Sequence, residues 1–204
     1  MMWRLRRHNF QLAALITTML MFAGCAATDL VNQWSNPAYT APQFKKVMVI
    51  AVSKQPTIRR NFEDAFVAQL KAAGVDAVQS YQYIPDEGQV EEAQLNKAVL
   101  AAGADAALIT RLVRKEQQTN VTPGYYPPAL GFYGGYSGGW AGYYEPPRVY
   151  QYDVYISETS LYDVTKNQLV WSGTAQTTAP GDINKEIKNY AEITINALKE
   201  RKLI

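Results

Sequence analysis

The sequence predicts a mixed α/β fold, in which a parallel β-α-β-α-β part is followed by an antiparallel hairpin and a C-terminal helix. Three patterns support this prediction. An unbroken apolar run at residues 47–52 is typical of a strand that is covered on both faces. Two helical patterns follow it, each leading to a further strand, which implies right-handed crossovers and a parallel sheet. Alternating apolar and polar residues on both sides of a turn at 165–167 indicate the hairpin.

The parallel part begins with the strand at residues 47–52. After Pro56, with Thr57 as the expected N-cap, a four-residue apolar repeat predicts the first helix, which should end at Gly74. A short second strand follows at 75–80, and a second apolar repeat predicts a helix that ends at Gly103. The third strand is expected at residues 104–116, centred on an apolar stretch.

The C-terminal part is predicted as two antiparallel strands and one helix. The strands are expected at residues 150–164 and 168–177, where apolar residues alternate with polar ones. Asp182 can cap the last helix, whose apolar residues recur on one face and whose carboxyl end is basic. Residues 45–204 should therefore form a single α/β domain.

Residues 1–24 have the layout of an export leader. Three arginines near the start precede an uncharged stretch at 10–22, and small residues lead up to Cys25. The apolar run is shorter than the roughly 20 residues that a membrane-spanning helix needs, so we expect it to be cleaved. The sequence around Gly24 and Cys25 resembles the lipobox of bacterial lipoproteins, which implies cleavage before Cys25 and a lipid on its sulfur. By resemblance to enterobacterial sorting, Ala26 favours an outer-membrane location, and we expect the domain to face the periplasm.

The segment at residues 25–44 is predicted to be a lipidated tether between the membrane and the domain. It contains asparagine, serine and proline but shows little periodicity. Fully extended, it would reach about 65 Å, so the domain should stay close to its membrane.

Removal of the leader restricts the possible chemistry. The leader holds three of the 20 basic residues and none of the 18 acidic ones, so 17 basic residues remain against 18 acidic ones, and a nucleic-acid partner is not indicated. His8, the only histidine, leaves with the leader, and Cys25 is the only cysteine. The mature chain therefore has no side chains for a Ser-His-Asp or Cys-His nucleophile or for a histidine- or cysteine-ligated metal. We expect no cofactor, no metal and no enzymatic activity.

Residues 121–148 form a biased insertion with seven of the 13 glycines. A loop of this length in a compact domain is usually functional or disordered. One interpretation is a low-complexity loop whose rings lie on the domain's own surface. The other is a binding surface whose rings contact a sugar, a protein or a membrane interface. Its aromatic residues, the candidate ligand- or partner-binding residues, are Tyr125, Tyr126, Phe132, Tyr133, Tyr136, Trp140, Tyr143 and Tyr144.

Topology predicts where this insertion leaves the domain. Parallel strands place their carboxyl ends on one edge of a sheet, and open α/β sheets bind ligands there. We expect the insertion to start at that edge, together with residues 53–57, 80–83 and 178–181.

Two arginines in the first turn of the first helix have two interpretations. Arg59 and Arg60 stand where the helix dipole disfavours cations, although Glu63 and Asp64 four residues later offer exposed intrahelical ion pairs. The alternative is an anion-binding site made of Lys54, Arg59, Arg60 and the free amides of the helix start.

The chain resembles an uncharacterised family of Gram-negative outer-membrane lipoproteins. The resemblance is carried by the lipobox, the strand at 44–53, the Arg59 to Asp64 segment, residues 103–106, the Tyr/Gly-rich insertion and the hairpin residues 161–163 and 169–172. The resemblance covers nearly the whole mature chain and implies compartment and fold rather than activity. The α/β plan is also similar to that of envelope lipoproteins that activate peptidoglycan synthases.

Three functions are compatible with these patterns. The first is a non-catalytic, membrane-anchored envelope lipoprotein that presents a ligand- or partner-binding surface to the periplasm, with an envelope protein or glycan as partner. The second is a hydrolase of envelope glycans that uses carboxylates such as Glu63, Asp64, Glu87 or Glu145. The third is a structural surface component that self-associates through its insertion.

Overall fold

The computed structural model describes residues 27–40, 43–85, 88–124, 146–178 and 180–204. Within these residues there are six strands and three helices of more than one turn. In chain order they are β1 (Ala27–Ser35), β2 (Lys46–Val52), α1 (Pro56–Ala72), β3 (Asp76–Gln79), α2 (Glu92–Ala102), β4 (Ala106–Thr122), β5 (Arg148–Asp163), β6 (Gln168–Thr178) and α3 (Ile183–Glu200). No helix in this described part of the chain is both long and apolar enough to cross a bilayer.

The strands form one mixed sheet in the order β1-β6-β5-β4-β2-β3. β2 runs parallel to both β3 and β4, whereas β4 with β5, β5 with β6, and β6 with β1 are antiparallel pairs. The predicted α/β fold with a parallel part, an antiparallel hairpin and a C-terminal helix is therefore confirmed.

Helices cover both faces of β2. Val47 and Val49 pack with α1 and α3 in the larger core, and Met48, which points the other way, packs against α2. This two-sided burial is the reason that β2 is apolar from Val47 to Val52. The centre of the larger core is Trp171 on β6, which is fully buried.

The helix ends follow three of the four predicted signals, and one of these is Gly74, which comes directly after Ala73, the C-cap of α1, and has a φ of 84°. Asp182 caps α3, since its side chain accepts hydrogen bonds from the backbone N–H groups of Asn184 and Lys185 at 2.9 and 3.3 Å. Gly103 ends α2 in the left-handed conformation with a φ of 64°. α1 differs, because Pro56 is its first residue and Gln55, not Thr57, is the N-cap.

Part of the segment predicted to be a tether, residues 25–44, is a strand of the sheet. Residues 27–35 form β1, which pairs with β6 along its length and makes one edge of the sheet. The strand pattern is hard to recognise because a bulge between Leu30 and Asn32 interrupts the alternation of buried and exposed residues. Thr28 is nevertheless buried, so this part of the predicted tether belongs to the domain.

β4 and β5 extend beyond the rest of the sheet. β2 pairs with β4 only as far as Arg111, and β6 pairs with β5 only from Val154 onwards. The remainder, residues 112–122 and 148–153, is a two-stranded ribbon with a bulge between Leu112 and Arg114. The ribbon is polar, so the apolar pattern used for the prediction ended at residue 116, although β4 continues to Thr122.

Candidate functional site

A cavity of about 420 Å³ lies at the edge of the sheet where β2 ends and β4 continues into the ribbon. We call this edge the carboxyl edge. The cavity is bounded by the sheet and by the first turns of α1 and α3, and its lining is mostly apolar. Its size is within the range of small-molecule sites, about 300–1,000 Å³.

The position of the cavity follows from the topology. Parallel strands end on the same edge, and each following helix starts there, so a hollow forms between strand ends and helix starts. Of the segments predicted to meet at this edge, residues 53–55 and Pro180 line the cavity, whereas residues 80–83 are not among its lining. β4 leads from here to the predicted insertion.

One buried carboxylate faces this cavity. Glu186 on α3 is only 5% exposed, and its Oε2 accepts hydrogen bonds from Thr28 Oγ1 at 3.2 Å and Asn189 Nδ2 at 3.4 Å. Thr28 also shares a hydrogen bond of 3.0 Å with Thr177 of the cavity wall. No described residue donates to Oε1. Oε1 is thus available to interact with a ligand that enters the cavity.

Glu186 was not among the predicted site residues. An acidic residue in the first turn of a helix is expected at the surface, where it interacts favourably with the helix dipole. The signal that could have identified it is its position on the apolar face of α3, between Ile183 and Tyr190 at helical spacing.

A second polar group consists of three hydroxyls. The Tyr190 hydroxyl lies 2.6 Å from Thr159 Oγ1, which donates to Thr110 Oγ1 at 2.9 Å. Burial raises the pKa of Tyr190, although the hydrogen bonds from the threonine hydroxyls oppose that effect. The group therefore stays neutral, and Tyr190 and Thr110 add neutral hydrogen-bonding groups to an otherwise apolar wall.

The mouth of the cavity combines cations with exposed apolar side chains. Lys54 and Arg111 are exposed there, and Arg111 pairs with Glu158 at 3.2 Å. Val52 and Leu112 also line the cavity and are more than half exposed. An apolar rim with positive charge beside it is therefore presented to the surroundings.

Arg59 has a different environment from the one that an anion site requires. Its guanidinium is buried and donates to Glu63 Oε1 at 3.0 Å, Ser80 Oγ at 2.9 Å and the Pro85 carbonyl at 2.8 Å. Lys54 lines the cavity, whereas the Arg60 guanidinium lies 5.2 Å from the ring centroid of Tyr81. The ion pair between Arg59 and Glu63 forms at the predicted spacing, but it is buried rather than exposed.

The carboxylates suggested for hydrolysis are engaged in structural contacts where they are described. Glu63 is fully buried and, besides Arg59, accepts from Ser80 Oγ at 2.7 Å and from the backbone N–H groups of Ala51 and Tyr81. Asp64 accepts from the Tyr81 hydroxyl at 2.7 Å, a bond that raises the pKa of Tyr81. The described residues contain no cluster of three potential metal ligands.

Several predicted residues lie outside the described part of the chain. They are Glu87 and Glu145, the cleavage site at Gly24 and Cys25, and the aromatic residues Tyr125, Tyr126, Phe132, Tyr133, Tyr136, Trp140, Tyr143 and Tyr144.

The chain is similar in fold to solved lipoprotein and oligomer structures. The structure titled as the PelC dodecamer from Paraburkholderia phytofirmans matches with a TM-score of 0.48 and 16% identity, covering 84% of this chain and 97% of that one. The lipoprotein GNA1162 from Neisseria meningitidis matches with a TM-score of 0.41 and 12% identity, covering 76% and 98% of the two chains. No curated protein matches the sequence.

A family model matches most of the domain. Residues 53–200 fit the model described as Domain of unknown function (DUF4136), a range that includes α1, the ribbon and α3. The expected membership of an uncharacterised family is confirmed: the chain belongs to the DUF4136 family.

Proposed function

We propose that the protein is a membrane-anchored envelope lipoprotein that binds an apolar ligand in the carboxyl-edge cavity without transforming it. The observation that carries this proposal is the cavity of about 420 Å³ with Glu186 in its wall. The location in the outer membrane, facing the periplasm, is supported by the leader at residues 1–24, by Cys25 and by Ala26.

The lining indicates the chemistry of the ligand. Apolar walls such as Ile58, Phe62 and Ile187 favour an apolar body, because burying it removes its surface from water. The free oxygen of Glu186 favours a ligand that carries an N–H, O–H or ammonium donor. A ligand without such a donor would separate this oxygen from water and leave it unpaired, which costs about 1–3 kcal/mol.

A second surface, for partners, is proposed at the Tyr/Gly-rich insertion. Tyrosine and tryptophan supply large contact areas with a polar tip, which suits an envelope protein or a glycan. The ribbon that leads to the insertion supports this proposal, because its two strands project beyond the rest of the sheet.

The ligand proposal can be tested with N-phenyl-1-naphthylamine, an apolar fluorophore with one N–H donor. We expect saturable binding to residues 26–204 and at least a tenfold loss in the Thr177→Phe variant, because the added ring fills the cavity. Glu186→Gln should weaken binding less, since an amide oxygen still accepts a hydrogen bond.

The matched control is Thr174→Phe. Thr174 lies on the same strand three residues away and therefore on the other face of the sheet, outside the cavity lining. Equal binding by wild type and both phenylalanine variants would show that the dye does not bind in this cavity, and it would contradict the proposal.

A further inference from the structure

We propose that the carboxyl edge of the sheet lies against the bilayer that holds the lipid of Cys25, so that the cavity opens towards the membrane. This inference rests on the proposed function, because it requires the lipid anchor. It adds an orientation and a contact surface to that anchor.

The first step is the place where the chain enters the domain. β1 runs antiparallel to β6, and Ala27, its first residue, pairs with Thr178, the last residue of β6. β6 runs in the same direction as β2 and β4, so Thr178 is at the carboxyl edge. The chain therefore enters the domain at the edge that contains the cavity.

The second step is the length of chain that remains outside. Cys25 precedes Ala27 by two residues, and two residues span at most about 7 Å. The predicted tether would have reached about 65 Å and allowed the domain to turn freely. With β1 part of the sheet, the carboxyl edge cannot move far from the lipid.

The third step is the surface at this edge. Val52, Leu112 and Ile183 line the mouth of the cavity and are 61%, 54% and 47% exposed. In water these side chains are unfavourably hydrated, whereas in a membrane interface their apolar area is buried. The neighbouring Lys54 and Arg111 suit the phosphates of anionic lipids, which attract basic side chains near the surface.

The proposed orientation requires the ribbon to lie along the membrane surface. It leaves the domain at the carboxyl edge, and its end opposite the sheet carries exposed Val121, Val149 and Tyr150. Its middle is polar and includes Gln118, Asp153 and a salt bridge from Lys115 to Asp153. Residues 112–122 would reach about 35 Å, so in this orientation the ribbon bends at the bulge between Leu112 and Arg114 and lies in the membrane interface. Apolar and tyrosine side chains are typical of such an interface.

The test uses the lipidated protein in vesicles of phosphatidylethanolamine and phosphatidylglycerol. The lipid occupies the sulfur of Cys25, so a cysteine introduced elsewhere is the only free thiol and can carry a spin label. Leu112→Cys and Ile183→Cys report on the carboxyl edge, and Val52→Cys replaces either variant if it fails to fold. Leu100→Cys is the control, because Leu100 is 80% exposed on α2 close to the amino end of β4.

We expect labels at positions 112 and 183 to be relaxed more strongly by oxygen than by a water-soluble nickel chelate, and the label at position 100 to show the reverse. The same strong relaxation by nickel at all three positions would overturn the orientation. Flotation separates this failure from failure of the anchor: protein that floats with the vesicles but shows water-exposed labels refutes the orientation alone. Protein that does not float refutes the anchor and the orientation together.

Discussion

At the scale of single residues, the buried polar side chains connect segments that are distant in sequence. Asp163 at the end of β5 is an example: its Oδ1 accepts from Thr165 N at 2.9 Å, Thr165 Oγ1 at 2.6 Å and Lys166 N at 3.0 Å. Its Oδ2 accepts from the Tyr39 hydroxyl at 3.1 Å. Local turn chemistry predicts the bonds to residues 165 and 166, but no local pattern predicts the bond to Tyr39, which is 124 residues away.

The charge of Asp163 should make stability depend on pH. Burial raises the pKa of this carboxyl, but hydrogen bonds from Thr165, Lys166 and Tyr39 outweigh that effect and hold the pKa below its ordinary value of 3.8. The folded state thus favours the ionised form. The resulting stabilisation is present above about pH 4 and is lost as the pH falls through the lower pKa of the folded protein.

We therefore expect Asp163→Asn to lower the free energy of unfolding by about 1–3 kcal/mol at neutral pH. The difference from wild type should shrink at acid pH, as the pH falls below 3.8 and through the lowered pKa of the folded protein. Urea unfolding at both pH values measures this, with Asp29→Asn, an exposed carboxylate on β1, as the control. If the difference in the free energy of unfolding were the same at neutral and acid pH, the charge of Asp163 would not contribute to stability.

At the scale of elements, the sequence predicts the helices and strands that are determined by local apolar periodicity. The three helices and the strands β2, β5 and β6 follow apolar repeats that are decided within a few residues. β1 and the ribbon are not predictable in this way, because their polar residues form strands only through pairing with distant partners. The carboxyl-edge cavity follows from strand order, whereas the inward position of Glu186 depends on how α3 packs against β1 and β6.

Close packing within β6 gives a prediction at this scale. Gly173 lies beside the buried ring of Trp171, and an added Cβ would meet Cη2 and Cζ2 of that ring, the latter at 2.6 Å. We expect Gly173→Ala to displace the ring and to lower the free energy of unfolding by about 1–3 kcal/mol. Chemical unfolding followed by tryptophan fluorescence measures both effects.

Gly181→Ala is the matched control, since nothing lies within 4 Å of its added Cβ and the backbone there is not left-handed. This variant should unfold like the wild type. If both alanine variants were equally stable, the contact between Gly173 and Trp171 would be less tight than the structure indicates.

At the scale of the whole molecule, the functional features are concentrated at one edge. The cavity, the start of β1 and the ribbon all lie at the carboxyl edge, while the opposite edge contains short turns such as the one at Gly103. Sheet topology explains this arrangement only in part. Parallel strands place helix starts and loops at one edge, but the ribbon also requires β4 and β5 to be longer than the strands beside them.

Replacing residues 125–145 by a short turn should leave the fold intact. Pairing from Ala106 with Asp163 to Thr122 with Arg148 does not depend on those residues, so the melting temperature should be unchanged. The same deletion should abolish capture of envelope components in pull-down experiments, with the full-length chain as the comparison. Recovery of the same partners by both chains would exclude the insertion as the binding surface, and a change in sedimentation without any partner would instead indicate self-association.

The pairing of β1 with β6 also determines the order in which the chain can fold. Ala27 has to find Thr178, and Ser35 has to find Trp171, so among the strand pairs of the described sheet this one closes the longest loop. Such distant contacts are formed late, because loop closure costs entropy before the pairing compensates for it. β1 must therefore remain unpaired until β6 has been synthesised, and until then Val31 and Trp34 are available to other chains.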